Sequence, residues 1–403
     1  MSYSYDSHFS RRTFTNDQMN VKSFLGSKLK NKKPSNKIDY LFLFSIILLT
    51  AYGTLMVFSA GEPYAETRYG DGSYFIKKQT VWLIIGATVC FLSSNVDINF
   101  YKKYTPHFYA ITTVLLVLVL AVGFVGNGAQ RWISIGPLTL QPSEIAKLSM
   151  LMMLAYYFSE KEELSINSKN NREIFTYGTL FPALIMLLPI VLVMLQRHLS
   201  CIIILGTIGL LLIFASGVNP KYIYAFCAIC VLAVCFIAFF TDYTKERITV
   251  WQNPEAYKLT GGWQTLQGLM AIGSGGIFGV GYGESILKHC YVSEPANDMI
   301  FAILCEELGL TGGIAVLLMF ALLVWRGTII ALRCDDVYTR LVVLGICIKT
   351  AVQVLLNIAV VTNTIPNTGI SLPFFSYGGS SLVMLFFEMG IVLSASKKSA
   401  LTK

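Results

Sequence analysis

The sequence predicts an all-α, polytopic membrane protein of about ten transmembrane helices, and three observations carry that expectation. Hydrophobic residues make up 54% of the 403-residue chain and charged residues 13%, whereas soluble domains carry about 25% charged residues; the mean hydropathy is +0.60. Apolar runs approaching the roughly 20 residues that cross a bilayer fall at 40–60, 80–96, 106–125, 144–158, 176–195, 200–217, 221–240, 298–325, 339–362 and 378–396. The basic residues between these runs are unevenly shared. With a cytoplasmic N-terminus, 20 Lys and Arg lie inside and nine outside, and Lys147 and Lys349 fall within spans. Basic residues collect on the inner face, so both termini are expected on the cytoplasmic side.

Residues 1–38 are polar, basic and rich in Ser and Asn, with no apolar core of a signal peptide. They read as a disordered cytoplasmic tail, followed by a membrane domain over 39–396 and a short cytoplasmic tail over 397–403. The first three spans are separated by segments carrying Arg68, Lys77 and Lys78 outside and Lys102 and Lys103 inside. The fourth is short, but Pro142, Ser143 and Glu144 read as a helix start with acid in the first turn, where the dipole favours it. The fifth and sixth are divided only by Gln196 to Leu199, a weak break that leaves eight or nine spans open. After the seventh comes a large outside loop, 241–297. The last three spans are interrupted by Asn357 to Leu382, where Pro366, Gly369, Pro373 and Gly378-Gly379 break any single helix. Broken backbone at membrane depth survives only where protein or water satisfies it, so this segment is expected to be re-entrant or interfacial.

Composition excludes several function classes. The net charge of +8 is mostly an inside-facing anchor to anionic lipid, with no case for nucleic acid. Of the nine cysteines only Cys290 sits in an outside loop, and Cys227-x-x-Cys230 lacks the second ligand pair of a zinc site. Neither a metal nor a disulfide is expected from them. There is no phosphate-binding loop, dinucleotide fingerprint or nucleophile elbow, and no evident internal repeat, which counts against a transporter built from two similar halves.

The chemistry is expected on the outer face, where three polar stretches converge. Asn127 to Gly136 holds Arg131 and Trp132, and the following Gln141-Pro-Ser-Glu-Ile-Ala-Lys147 places Glu144 and Lys147 three apart on one helix face, where they can pair. That pair is either self-neutralising structure or the means of holding a carboxylate or phosphate in a polar cavity. Loop 241–297 holds Arg247, Trp251 and a glycine-rich run from Gly273 to Gly283, expected to bend over a lipid headgroup at the membrane surface. It ends at Asp298, beside the apolar run Met299 to Leu304. An ionisable group at a membrane mouth is a functional candidate; the bland alternative is a helix cap. Glu306 and Glu307 either tune the cavity or bond a neighbouring helix.

At these residues the chain resembles the SEDS family (shape, elongation, division and sporulation), which includes FtsW, RodA and SpoVE. The matching pieces are Gly128-Ala-x-Arg-Trp132, Gln141-Pro-Ser-Glu144 with Lys147, Gly273-Ser-Gly-Gly-x-Phe-Gly279, Glu294-Pro295 leading to Asp298-x-Ile-Phe-Ala, Glu306-Glu-Leu-Gly309 and Leu372-Pro-Phe-Phe-Ser-Tyr-Gly-Gly-Ser-Ser381. They run in order over about residues 40 to 396. The resemblance implies a peptidoglycan glycosyltransferase polymerising lipid II on the outer face. It implies a class B penicillin-binding transpeptidase as partner, among other division or sporulation membrane proteins. Asp298 falls on the family's essential Asp; Glu144 and Lys147 fall on its polar-cavity pair; Arg131, Trp132, Ser143, Arg247 and Ser376 are the further substrate and cavity candidates. A divalent cation, Mg or Mn, is compatible with the carboxylates. Two departures stand out: Asn297-Asp298-Met299 where the family often has Thr-Asp-Phe, and Gln196-Arg197-His198-Leu199-Ser200 where relatives usually carry Pro second. The latter tilts towards a division or sporulation member. A lipid II flippase, a RodA-type elongation polymerase and a non-catalytic scaffold are the rival readings.

Overall fold

The computed structural model describes residues 37–126, 129–135, 138–165, 170–218, 221, 224 and 242–398. The tails 1–36 and 399–403 and the body of the span expected at 221–240, with Cys227, Cys230 and Cys235, lie outside the described residues.

Helices dominate, as the composition requires. In chain order they are α1 (Tyr40–Tyr69), α2 (Tyr74–Asn95), α3 (Ile98–Val122), α4 (Pro142–Glu160), α5 (Asn171–Leu195), α6 (Leu199–Ala215), α7 (Asp242–Gln252), α8 (Trp263–Gly275), α9 (Ile300–Leu332), α10 (Val337–Val361) and α11 (Gly379–Lys398). Local chemistry sets several of these ends. Asp39 caps α1 by accepting the Phe42 amide at 3.0 Å, and Asp97 and Asp336 do the same for α3 and α10, satisfying donors the first turn leaves unbonded. Gly70 closes α1 with φ of 67°, the left-handed conformation favoured at helix ends.

Seven helices (α1, α2, α3, α5, α9, α10 and α11) are long and apolar enough to cross a bilayer. The expected count of ten is not reached by the described residues. α6 is a shorter apolar helix of 17 residues. α4 begins at Pro142, at the helix start read from Pro142, Ser143 and Glu144, and is wrapped by protein along nearly its whole length: Leu148, Met150, Leu151, Leu154, Ala155 and Phe158 are all fully buried. A helix enclosed by other helices does not need to be lipid-like, so it can carry Glu144 and Lys147.

One departure from the all-α expectation is a small antiparallel sheet after α3: β1 (Phe124–Gly126), β2 (Ala129–Ile135) and β3 (Leu138–Leu140), in the order β1-β2-β3. It carries the first polar stretch.

The glycine-rich run is also placed differently from expectation. Instead of bending over a headgroup, it fills a break in α9. Gly309 has φ 65° and ψ −165°, a conformation open essentially to Gly alone. At this break the Glu306 and Glu307 carbonyls accept from the Val280 and Gly281 amides at 3.0 and 2.9 Å. The Leu310 and Thr311 amides donate to the Gly276 and Ile277 carbonyls at 2.9 and 3.1 Å. Four groups that an unbroken helix would pair internally are thus satisfied by the loop, as membrane depth demands. A Cβ on Gly309 would run into the backbone of Gly279 and Ile277. Gly309→Ala is therefore expected to destabilise the protein by about 1–3 kcal/mol from backbone strain alone, read as a lowered thermal midpoint in detergent; an unchanged midpoint would show that the wedge is not rigid.

Glu306 and Glu307 do not line the cavity described below. Ser285 Oγ donates to Glu306 at 2.5 Å and the Ile286 amide at 2.9 Å, while Glu307 pairs with Lys288 Nζ at 3.0 Å and accepts from Ser59 Oγ at 2.6 Å. Both carboxylates pin the loop to α9, and Glu307 also ties in α1. Lys288 is therefore a buried counter-ion rather than an exposed basic residue of an outside loop.

Candidate active site

The three polar stretches converge on one cavity of about 1190 Å³. α2 contributes Lys77, Lys78 and Trp82; β2 contributes Arg131 and Trp132; α4 contributes Glu144 and Lys147. The α5–α6 turn brings His198 and Ser200, α7 brings Glu246, Arg247 and Trp251, and α8 brings Gln264. Glu294, Asn297 and Asp298 close one wall, and the broken segment after α10 closes another with Asn367 to Ser371 and Tyr377 to Gly379.

Asp298 is partly buried and lies just outside α9, whose cap position is Met299 with no side-chain cap bond. The capping explanation therefore does not account for it. Gln264 Nε2 reaches its two carboxyl oxygens only at 3.4 and 3.5 Å, long for a hydrogen bond to an anion. Gln264 is itself oriented by Asn367 Nδ2 at 3.1 Å. The Asp298 backbone is fixed from α10, where Asn357 Nδ2 donates to the Asp298 carbonyl at 3.0 Å and to the Ile370 carbonyl at 2.6 Å. A rigid main chain thus presents a loosely solvated carboxylate. Burial, with Glu294 nearby, pushes its pKa up to about 6, because loss of hydration penalises the charged form.

Arginines line the same cavity. Arg131 Nη2 donates to the Arg197 carbonyl at 2.5 Å, and Arg247 Nη1 donates to the Asn367 carbonyl. Trp251, one turn along α7 from Arg247, bonds the Asn363 carbonyl at 2.9 Å. The Arg247 and Trp251 contacts fasten α7 to the broken segment, the Arg131 contact ties β2 to the α5–α6 turn, and both arginines line the cavity.

Glu144 and Lys147 do pair: Nζ lies 2.7 and 2.8 Å from the two carboxyl oxygens, and Gln353 Oε1 is a further partner at 3.5 Å. Both line the cavity. Behind them sits a pair not anticipated from the sequence, Lys349 on α10 and Glu388 on α11, with Nζ 2.7 Å from both oxygens. A side chamber of about 40 Å³, lined by Glu144, Lys349, Gln353, Ser371 and Ser376, lies between the two pairs, enough for a water.

Two candidates act behind the wall. Ser143 is 1% exposed, absent from the cavity lining, and its Oγ meets His198 Nδ1 at 3.3 Å. Ser376 lines only the side chamber; its Oγ donates to the Asn297 carbonyl at 2.7 Å and accepts from the Leu372 amide at 2.7 Å, knotting the two cavity loops together. Lys77, Lys78, Gln264 and His198 line the cavity and were missed as site residues, because only the topology brings them there; Asn357, also missed, is fully buried and acts from behind the wall.

The family model of FtsW, RodA and SpoVE, described as cell cycle protein, matches residues 39–401. Stage V sporulation protein E of Bacillus subtilis is 38% identical over 363 residues, 90% of this chain and 97% of that protein. The Geobacter metallireducens protein named "Probable peptidoglycan glycosyltransferase FtsW" is 33% identical over 372 residues, 91% of this chain and 97% of its own. Among solved structures, a chain from "Structural coordination of polymerization and crosslinking by a peptidoglycan synthase complex" superposes with a TM-score of 0.74 at 25% identity, covering 89% of this chain and 97% of that one. The rod shape determining protein RodA of Thermus thermophilus superposes with a TM-score of 0.66 at 25% identity, over 90% and 97% of the two chains.

Proposed function

The chain belongs to the cell cycle protein family of FtsW, RodA and SpoVE, and from that premise we propose that Asp298 is the general base of its glycosyl transfer. The protein is a multi-pass membrane peptidoglycan glycosyltransferase. The substrate in this reading is lipid II. The 4-hydroxyl of the acceptor sugar attacks the anomeric carbon of the donor, Asp298 takes the hydroxyl proton, and the bond from that carbon to the lipid diphosphate breaks. The observation that carries the assignment is the Asp298 carboxylate itself, partly buried on the cavity wall with its pKa pushed up to about 6. A base with a pKa near the working pH combines availability with driving force.

Diphosphate departs readily, so its need is charge neutralisation. Arg131 and Arg247 line the cavity for this purpose; Lys147 contributes less, because Glu144 already compensates it. Among the described residues no group of three or more His, Cys, Asp or Glu can hold a metal. A Mg or Mn ion would in this reading be held chiefly by the substrate diphosphate, with Glu294 on the cavity wall as a protein carboxylate beside it, and would supply positive charge to the leaving group.

The cavity opens outward in this reading, with both termini cytoplasmic, as the distribution of 20 basic residues against nine favours. In a background cleared of native cysteines, of which Cys290 is exposed, thiols placed at the exposed Ser134 and Lys258 should react with an impermeant reagent from outside. Those at Ser168 and Ser399 should not. The reverse pattern would invert the topology and remove the outward-facing site. The partner proposed is a class B penicillin-binding transpeptidase, supported by the likeness to a chain of a peptidoglycan synthase complex. The deciding experiment supplies purified protein with lipid II in detergent, with and without that partner, and separates glycan products on a gel. Transport of lipid II without strand formation would instead establish the flippase.

A further inference from the structure

The turn joining α5 to α6 is held from three sides. Gln196 Nε2 donates to the Leu116 carbonyl on α3 at 3.1 Å, Arg131 of β2 donates to the Arg197 carbonyl at 2.5 Å, and Ser200 Oγ donates to the Thr368 carbonyl of the broken segment. Within it Arg197 has φ of 54°, a left-handed backbone that costs a non-glycine residue about 1 kcal/mol or more and persists only where the surroundings enforce it. Such strain is commonly found at functional positions. The residue this turn presents is His198, 8% exposed, on the cavity wall. Its Nδ1 is engaged by Ser143 Oγ at 3.3 Å; Nε2 has no protein partner among the described residues.

We propose that His198 is a substrate-binding residue whose Nε2–H donates a neutral hydrogen bond to a diphosphate oxygen of the lipid-linked substrate. With the Ser143 hydroxyl as donor to Nδ1, which this proposal requires, the ring carries its proton on Nε2. The ligand is an anionic oxygen because the same turn is built around Arg131, whose guanidinium lines the cavity with it. Burial, with Arg131 next in effect, pushes the imidazole pKa down to about 3, so the ring stays neutral and donates without adding charge. This assignment rests on the lipid II reading above and adds a residue to it.

A pair of nearly isosteric amides tests it. The Gln amide reaches the position of Nε2, whereas the Asn amide reaches only that of Nδ1. If His198 binds substrate, His198→Asn should raise KM for lipid II about tenfold, the worth of one hydrogen bond to an anionic group, with kcat changed less than about threefold, and His198→Gln should restore most of the affinity. A purely structural role through Ser143 predicts the reverse order, Asn rescuing and Gln failing, and that result overturns the proposal. A binding arm uses undecaprenyl diphosphate, which lacks the sugars, as competitor of a labelled lipid II. Its affinity should fall about tenfold in His198→Asn; an unchanged affinity overturns the diphosphate assignment. This arm needs no turnover, so it still judges His198 if the wild type binds lipid II without polymerising it.

Discussion

Asp298→Asn will reduce polymerisation of lipid II by about a hundred- to ten-thousand-fold, the usual worth of a positioned proton acceptor, and the protein will remain folded. Asn keeps the size of the side chain and can still meet Gln264, so only the capacity to accept a proton is lost. Asp298→Glu keeps that capacity but moves the carboxylate by about an ångström, a displacement that can cost a hundredfold. The wild-type rate will follow ionisation of the base. With a folded pKa of about 6, kcat/KM should rise through pH 5 to 7 and level off above, and this rise should vanish in the residual activity of the Asn variant. The stability consequence has the opposite sign. Folding raises this carboxyl from its ordinary value of 3.8, so between about pH 4 and 6 the folded protein holds a proton that the unfolded chain has released. Stability from this group is therefore lost as pH climbs from about 4 to about 6. Above pH 6, Asp298→Asn should unfold at the same temperature as the wild type or a higher one. A wild-type rate in the Asn variant, or unfolding at lower temperature without loss of rate per folded molecule, would remove Asp298 from catalysis.

What the sequence discloses and what it hides follow from the range of each signal. Helix positions come from local apolar runs, and the start of α4 from Pro142 and the acid beside it. The broken segment after α10 was legible because Pro366, Gly369 and Pro373 act on their own backbone. Asp298 stood out because a carboxylate at a membrane mouth is costly wherever the chain goes next. The placement of the glycine-rich run was not legible: its amides bond carbonyls about 26 residues away on α9, and no periodicity encodes that partner. For the same reason Glu306 and Glu307 could not be assigned until Ser285, Lys288 and Ser59 were seen against them. The small sheet escaped because its outer strands are three residues long. Lys349 and Glu388 are a different kind of miss. Both are ionisable residues inside apolar spans, and the rule that singled out Lys147 applied to them equally; what was missing was the α10–α11 contact that makes them a pair.

Loss of either partner of the Glu144–Lys147 pair will cost more than loss of both. Glu144 and Lys147 are 8% and 2% exposed, so Glu144→Gln leaves a buried ammonium and Lys147→Met a buried carboxylate, each an uncompensated charge worth roughly 3–5 kcal/mol. The double variant carries no charge and should recover most of that loss, since hydrophobic or neutral replacements of buried pairs are often near neutral. The second pair sharpens the expectation. Lys349 and Glu388, across the water-sized side chamber, neutralise each other at 2.7 Å, so removing Glu144 and Lys147 together leaves a balanced interior, whereas either single change leaves it one charge out of balance. Thermal midpoints in detergent give the stability term, and strand synthesis by the folded fraction gives the functional one. A stable double variant that makes no strands assigns the pair to substrate binding in the cavity. A stable double variant with wild-type synthesis makes it a brace between α4 and α10. Equal destabilisation by the single and double changes would mean that the two charges are not coupled, against the 2.7 Å contact between them.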